Sequence, residues 1–192
     1  MIELFMLFIA LFAIILLTIL ILFSFPQFSP IPYFPSNKKD LPLIIKSFNL
    51  KKNQTIIDLG AGDGMVIFKA AKEAIRKKLN TKFIAIEINP VLLCILYFRR
   101  LLEPNRKNIK IVYGDIFTFD YHNFMYGSVV TDPYNITFYL YISPWHLEKT
   151  VNNVKHQFKQ FSIVSYIYPV KSLSKKERKI KGNIHTIYMY NI

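Results

Sequence analysis

Three glycines and four acids carry most of the chemistry legible in this chain. Asp58, Gly60, Gly62, Asp63 and Gly64 fall within the run Asp58-Leu59-Gly60-Ala61-Gly62-Asp63-Gly64. Glycine serves where the backbone takes φ > 0 or must approach a ligand closely. The β-branched Ile56 and Ile57 lead into the run, and Met65 to Lys72 after it suits a helix. Strand, Gly-rich turn and helix in that order form the nucleotide-binding corner of an α/β sheet. Glu87 closes a second apolar run, Phe83 to Ile86. A carboxylate at the tip of that neighbouring strand accepts hydrogen bonds from ribose hydroxyls. Asn89-Pro90 then opens a helix, with proline in the first turn, where its missing N–H costs nothing. Gly114-Asp115 closes a third apolar run, Ile109 to Tyr113.

A pyrophosphate fingerprint requires G-x-G-x-x-G. Here the glycines run G-x-G-x-G, with Asp58 two residues before the first. That pattern resembles motif I of the class I S-adenosylmethionine methyltransferases. The resemblance implies S-adenosylmethionine as cofactor, with an acid near its ammonium group. It implies cofactor contacts from Asp58, Gly60, Gly62, Asp63, Gly64, Glu87 and Asn89. It also implies contacts to the adenine from Asp115 and the backbone of Ile116.

The elements that must position these residues alternate. Strands are expected at 54–59, 82–87 and 109–113, with helices at 65–78 and 90–102. A short helix at 40–50 enters the domain. The fold class expected is α/β: a Rossmann-like, mostly parallel sheet with helices on both faces, preceded by one N-terminal transmembrane helix. Strand four is either Ser128 to Thr131, followed by Asp132-Pro133-Tyr134, or Ile136 to Ile142. The second is the stronger β run. A helix follows from Ser143-Pro144 to about Lys159, then a strand at 161–168. The region 171–181 reads as a basic connection, and 184–190 as the last strand, which leaves the usual final strand pair abbreviated.

Leu4 to Phe23 carries no charge, and Thr18 is its one polar residue. Twenty residues at 1.5 Å rise reach about 30 Å, the hydrocarbon thickness of a bilayer. A cleaved signal peptide would have a basic start, a shorter apolar run and small residues at a cleavage site. A retained anchor at 1–25 is therefore expected. A Pro-rich linker at 26–37 and a catalytic domain at 38–192 follow. No Lys or Arg precedes the run, whereas Lys38, Lys39 and Lys46 follow it. The domain is accordingly expected on the cytoplasmic or matrix side. That placement discounts the glycosylation sequons at Asn53 and Asn135.

The 192 residues hold 25 Lys and Arg against 12 Asp and Glu, a net charge of +13. Such an excess fits a domain held against anionic lipid, and nucleic acid is the less favoured partner. The clusters 76–82, 99–110 and 171–181 read as solvated, lipid-facing charge. Cys94 is the single cysteine, so no intrachain disulfide forms, and its apolar neighbours suggest a core position. His122, His146, His156 and His185 match no common metal spacing, and no metal is expected.

Together these pieces resemble the membrane-anchored lysine methyltransferases that act on the ATP synthase c subunit and the adenine nucleotide translocase. Three features carry the likeness. Pro32-Tyr33-Phe34-Pro35-Ser36 matches the family's pre-motif between anchor and domain. The motif I run is followed by Glu87-Ile88-Asn89-Pro90. Tyr139-Leu140-Tyr141, Pro144 and Glu148-Lys149 match its strand four and next helix. The resemblance implies methylation of a lysine in a membrane protein near the bilayer surface. Tyr33 to Ser36 would fold over the cofactor, with Tyr33 as candidate catalytic residue and Pro35, Asp132 and Tyr134 as candidate substrate contacts. The alternatives are a methyltransferase of lipid, quinone or RNA, and a tethered cofactor-binding assembly factor without catalysis.

Overall fold

The computed structural model describes residues 1–25, 30–126 and 135–192. Its first element, α1 (Ile2–Ser24), has no buried residue. It is the one helix, among the described residues, long and apolar enough to cross a bilayer, with a mean hydropathy of 3.2 over its best window. The domain then runs α2 (Leu41–Ser47), β1 (Thr55–Leu59), α3 (Met65–Arg76), β2 (Lys82–Glu87), α4 (Pro90–Leu101) and β3 (Ile109–Tyr113). It continues with α5 (Tyr121–Tyr126), β4 (Ile136–Leu140), α6 (Pro144–Gln157), β5 (Ser162–Tyr166), β6 (Arg178–Lys181) and β7 (Thr186–Asn191).

The strands form one seven-stranded sheet in the order β3-β2-β1-β4-β5-β7-β6. β3, β2, β1, β4 and β5 are parallel neighbours, and β7 lies antiparallel between β5 and β6. The central strands β1 and β4 are buried along their length because helices cover both faces. Ile56, Phe83, Ala85 and Val164 face one core with residues of α2, α3 and α4. Ile57, Ile84, Phe138 and Ile163 face the other, with Leu147, Val151 and Val154 of α6. In α3 the inward stripe is Val66, Ile67, Ala70, Ala71 and Ala74, the spacing that a half-buried helix requires.

The expected α/β fold is the observed one, and strand four is Ile136–Leu140. The earlier candidate for that strand, 128–131, lies outside the described residues, as do Asp132 and Tyr134. Two expectations need correction. The basic stretch 171–181 contains β6, so the final strand pair is complete. Three of its four residues are basic, at an exposed sheet edge, a composition that reads as a loop. Cys94 is exposed, not core. α4 is apolar nearly all round, so composition alone cannot say which of its sides turns inward; Leu92, Leu93 and Leu96 do.

Candidate cofactor site

β1 lies between β2 on one side and β4 on the other. The chain leaves these two strand ends in opposite directions, and open α/β sheets bind ligands in the crevice this creates. A cleft of about 760 Å³, open to solvent, lies there. Its floor is built from strand ends. Asp58 of β1 and Tyr139 of β4 are register partners, so they stand side by side on one face. They are 3% and 2% exposed. Its roof is the segment 30–36, which crosses the strand ends. Ser36 Oγ and Tyr139 Oη are 2.9 Å apart in a buried hydrogen bond that fastens the roof to the floor.

The glycine turn forms one wall. Gly62 has φ +57°, and a Cβ there would stand 2.6 Å from the Tyr33 ring. One edge of the ring therefore packs against the turn because residue 62 has no side chain. The Gly62 amide donates to Glu87 Oε2 at 2.8 Å. The amides of Ile88 and Asn89 both donate to Glu87 Oε1, each at 2.9 Å. Three of the roughly four acceptor positions of a carboxylate are thus used, and one on Oε2 is left for a ligand. Gly64 differs. It has φ +76° and caps α3, and a Cβ there would come within 2.5 Å of Leu96 and Phe68. Its smallness serves core packing.

Charge is the cleft's most telling property. Among the described residues, Asp58, Asp63, Glu87 and Asp115 line it, and no lysine or arginine does. This holds in a chain whose net charge is +13. Burial, then the neighbouring charges of Glu87 and Asp63, push the Asp58 carboxyl well above its ordinary range. Burial also raises Glu87, against the amides of Asn89, Gly62 and Ile88 that pull it down. Asp63 has relief from outside the cleft: Arg99 of α4 donates to its carboxylate and to its carbonyl, each at 2.7 Å. Tyr33 is raised to about 12 by burial and by the charge and hydrogen bond of Asp63. Such a phenol keeps its proton at neutral pH. Asp115 accepts from the Phe117 amide at 2.9 Å, and the Ile116 carbonyl accepts from Tyr121 at 3.2 Å.

Tyr33, Pro35, Asp58, Gly60, Gly62, Asp63, Glu87, Asp115 and Ile116 all line the cleft. Gly64 and Asn89 do not. Asn89 caps α4 by accepting from the amides of Val91 and Leu92. The Ser36–Tyr139 bond and the Arg99–Asp63 pair escape sequence reading. The first joins residues 103 apart in the chain. The second involves a residue that reads as one more surface charge.

An acidic, partly aromatic crevice at a sheet switch point suits a nucleoside that carries positive charge. S-adenosylmethionine is one: its sulfonium and ammonium exceed its single carboxylate. The glycine cradle, the spare acceptor on Glu87 and the unneutralised Asp58 fit it, and a dinucleotide pyrophosphate would meet only repulsion. Fold and crevice define a class I S-adenosylmethionine-dependent methyltransferase. Residues 33–176 match the family described as ribosomal RNA adenine dimethylase, and the chain belongs to that family.

Two curated relatives are similar over part of the chain. One is the probable ribosomal RNA small subunit methyltransferase A of Methanosphaera stadtmanae, 32% identical over 50% of this chain and 33% of that protein. The other, from Caenorhabditis elegans, is the lysine N-methyltransferase of the ATP synthase c subunit, 28% identical over 47% of each chain. The matches thus span a third to about half of those relatives' lengths. Among solved structures, an RNA methyltransferase from Salinibacter ruber in complex with S-adenosylhomocysteine superposes with a TM-score of 0.65. It is 19% identical and covers 83% of this chain and 94% of that one. Precorrin-6y C5,15-methyltransferase from Geobacter metallireducens gives 0.54, at 15% identity, over 83% and 93% of the two chains. These last two likenesses concern the fold.

Proposed function

We propose that this chain is an S-adenosylmethionine-dependent N-methyltransferase held at a membrane by α1, and that its acceptor is the side-chain amine of a lysine in another membrane protein. The observation that carries the cofactor half is the four-acid cleft without a cation. The apolar, uncharged α1 supports the membrane half, as does the similarity to the nematode lysine methyltransferase.

Bound cofactor supplies the electrophilic methyl group; the chain's residues supply position and surroundings. Asp58 offers a counter-charge to the cofactor's ammonium, and Glu87 its spare acceptor to a ribose hydroxyl. Gly60, Gly62 and Asp63 shape the wall, and Asp115 with Ile116 borders the base. The roof residues Tyr33 and Pro35 exclude water and define the acceptor's way in. Tyr33, raised to about 12, serves as a positioning phenol and not as a base. Tyr139 is pushed up by burial, with its bond to Ser36 opposing, and it too stays protonated. An acceptor lysine must therefore enter neutral, losing its proton to water as the apolar roof takes it up.

A second reading has its own support. The family match and the Methanosphaera relative favour an adenine of RNA as acceptor. The net charge of +13 agrees with that partner. One experiment separates the two. Labelled S-adenosylmethionine is supplied to membranes and to RNA with the wild-type chain or Gly62→Arg, which fills the cradle under Tyr33. The lysine reading expects label in a small membrane-protein band, absent with the variant. Label confined to RNA, falling steeply with added salt, would overturn it in favour of the second reading.

A further inference from the structure

α4 has a side that none of the described residues covers. Leu92, Leu93 and Leu96 turn into the core. Residues three and four apart share one side of a helix. The opposite side therefore carries Cys94, Ile95, Tyr97, Phe98 and Leu101, and Leu102 continues it past the helix end. Phe98, Leu101 and Leu102 are 65%, 63% and 73% exposed. No charged or amide side chain interrupts this surface. Isolated exposed apolar residues are ordinary; a contiguous set covering three turns marks a contact surface.

Two further observations identify what it meets. Asn89, the residue that caps α4, also donates from Nδ2 to the carbonyl of Leu22 at 3.1 Å, in the last turn of α1. The end of the apolar anchor is thus tied to the start of α4. At 1.5 Å per residue, the twelve residues of α4 extend no more than about 18 Å from that junction. The apolar surface is also flanked by cations. Lys38 and Lys69 border an open groove beside it, where Arg99 is held by Asp63, and Arg106 and Lys107 follow the helix. Apolar residues bordered by basic ones are the composition of helices that lie in the headgroup region of an anionic bilayer.

We infer that α4 is an interfacial helix: its outer face lies in the headgroup and upper acyl region of the bilayer that α1 spans, with the flanking cations against anionic headgroups. The inference rests on the membrane reading of α1. It has a consequence for the site. α4 begins three residues after Glu87, at the end of the sheet that carries the cleft. Laying α4 on the bilayer brings the cleft to the membrane surface beside the anchor, so the acceptor is a group at headgroup depth and not one on a distant soluble partner.

The single cysteine lies on the face in question and is exposed, so it takes a probe without a substitution. The full chain, with a nitroxide on Cys94, is reconstituted in phosphatidylcholine–phosphatidylglycerol vesicles. Collision of the label with oxygen, which concentrates in acyl chains, is compared with collision by a water-soluble nickel chelate. Cys94→Ser with Lys155→Cys supplies a reference on the exposed side of α6. The expected result is a label at 94 that oxygen reaches and the chelate does not, with the reverse at 155. Equal chelate access at the two positions would overturn the inference while leaving the anchor intact. A label at 94 shielded from both reagents would overturn it in favour of a protein partner. Release of the chain from the vesicles by alkaline carbonate would overturn the membrane reading itself, and the inference with it.

Discussion

At the residue scale, the buried Asp58 carries a stability cost. A carboxyl whose folded pKa stands above its unfolded value costs the fold nothing at low pH. It costs progressively more as pH rises from about 3.9 towards the raised value. Asp58→Asn removes that cost. The ligand-free variant is expected to melt above the wild type at pH 7 in calorimetry, with the gap closing towards pH 4. Its affinity for S-adenosylmethionine should fall roughly 10–100-fold, the worth of a charge-assisted hydrogen bond. A variant that is stabilised but binds normally would show that Asp58 faces no ligand cation. The glycines give a paired test. Gly62→Ala presses on the Tyr33 ring, which can swing outwards, so titration calorimetry should show lost cofactor affinity, with a stability loss of about 1–2 kcal/mol from the left-handed backbone alone. Gly64→Ala presses on Leu96 and Phe68 within the core, and a loss of about 1–3 kcal/mol in stability is expected.

Elements are held to the site by a few long-range polar ties. Asp40, at the start of α2, has no exposed surface. It accepts from Tyr166 Oη of β5 at 2.8 Å and from the amides of Ile184 and His185, each at 2.9 Å, in the β6–β7 turn. Burial pushes its carboxyl up, and these hydrogen bonds outweigh burial and leave it below the ordinary range. Its contribution is therefore present above the unfolded value of about 3.9 and lost as pH falls through the folded one. Asp40→Ala strands the buried Tyr166 hydroxyl and two part-buried amides, and denaturant melts should show a loss of about 1–3 kcal/mol. The roof has a similar fastening. Tyr139→Phe leaves the buried Ser36 hydroxyl without its partner and should raise the KM for cofactor, with a stability loss of about 1–3 kcal/mol. Neither tie is legible in the sequence. Asp40 reads as the first residue of a short helix, and its partners lie more than a hundred residues away.

For the whole molecule, the titration of the acceptor separates the proposed substrates. The neutral fraction of a lysine with a pKa near 10.4 grows about tenfold per pH unit below that value. Transfer to lysine should rise with that slope between about pH 7 and 9, since Tyr33 and Tyr139 take no proton there. Transfer to the exocyclic amine of adenine, which has no proton to lose in that range, should be flat. A flat profile with a protein acceptor would mean that a residue outside the cleft floor performs the deprotonation.

By itself the sequence determined the class of fold and the place of the cofactor crevice. Both follow from local rules: apolar runs of strand length, a glycine turn with φ > 0 in front of a helix, an acid at each strand end, and an apolar run as long as a bilayer is thick. The tertiary structure decided which side of each element works. It made Gly64 a packing residue beside the lining Gly62, turned Cys94 outwards, and drew Arg99 from an apparent surface cluster onto Asp63. It also showed that, among the described residues, no lysine or arginine lines the cleft beside its four acids. Facing and pairing depend on contacts between segments far apart in the chain, and a helix that is apolar all round gives no periodicity from which to read them.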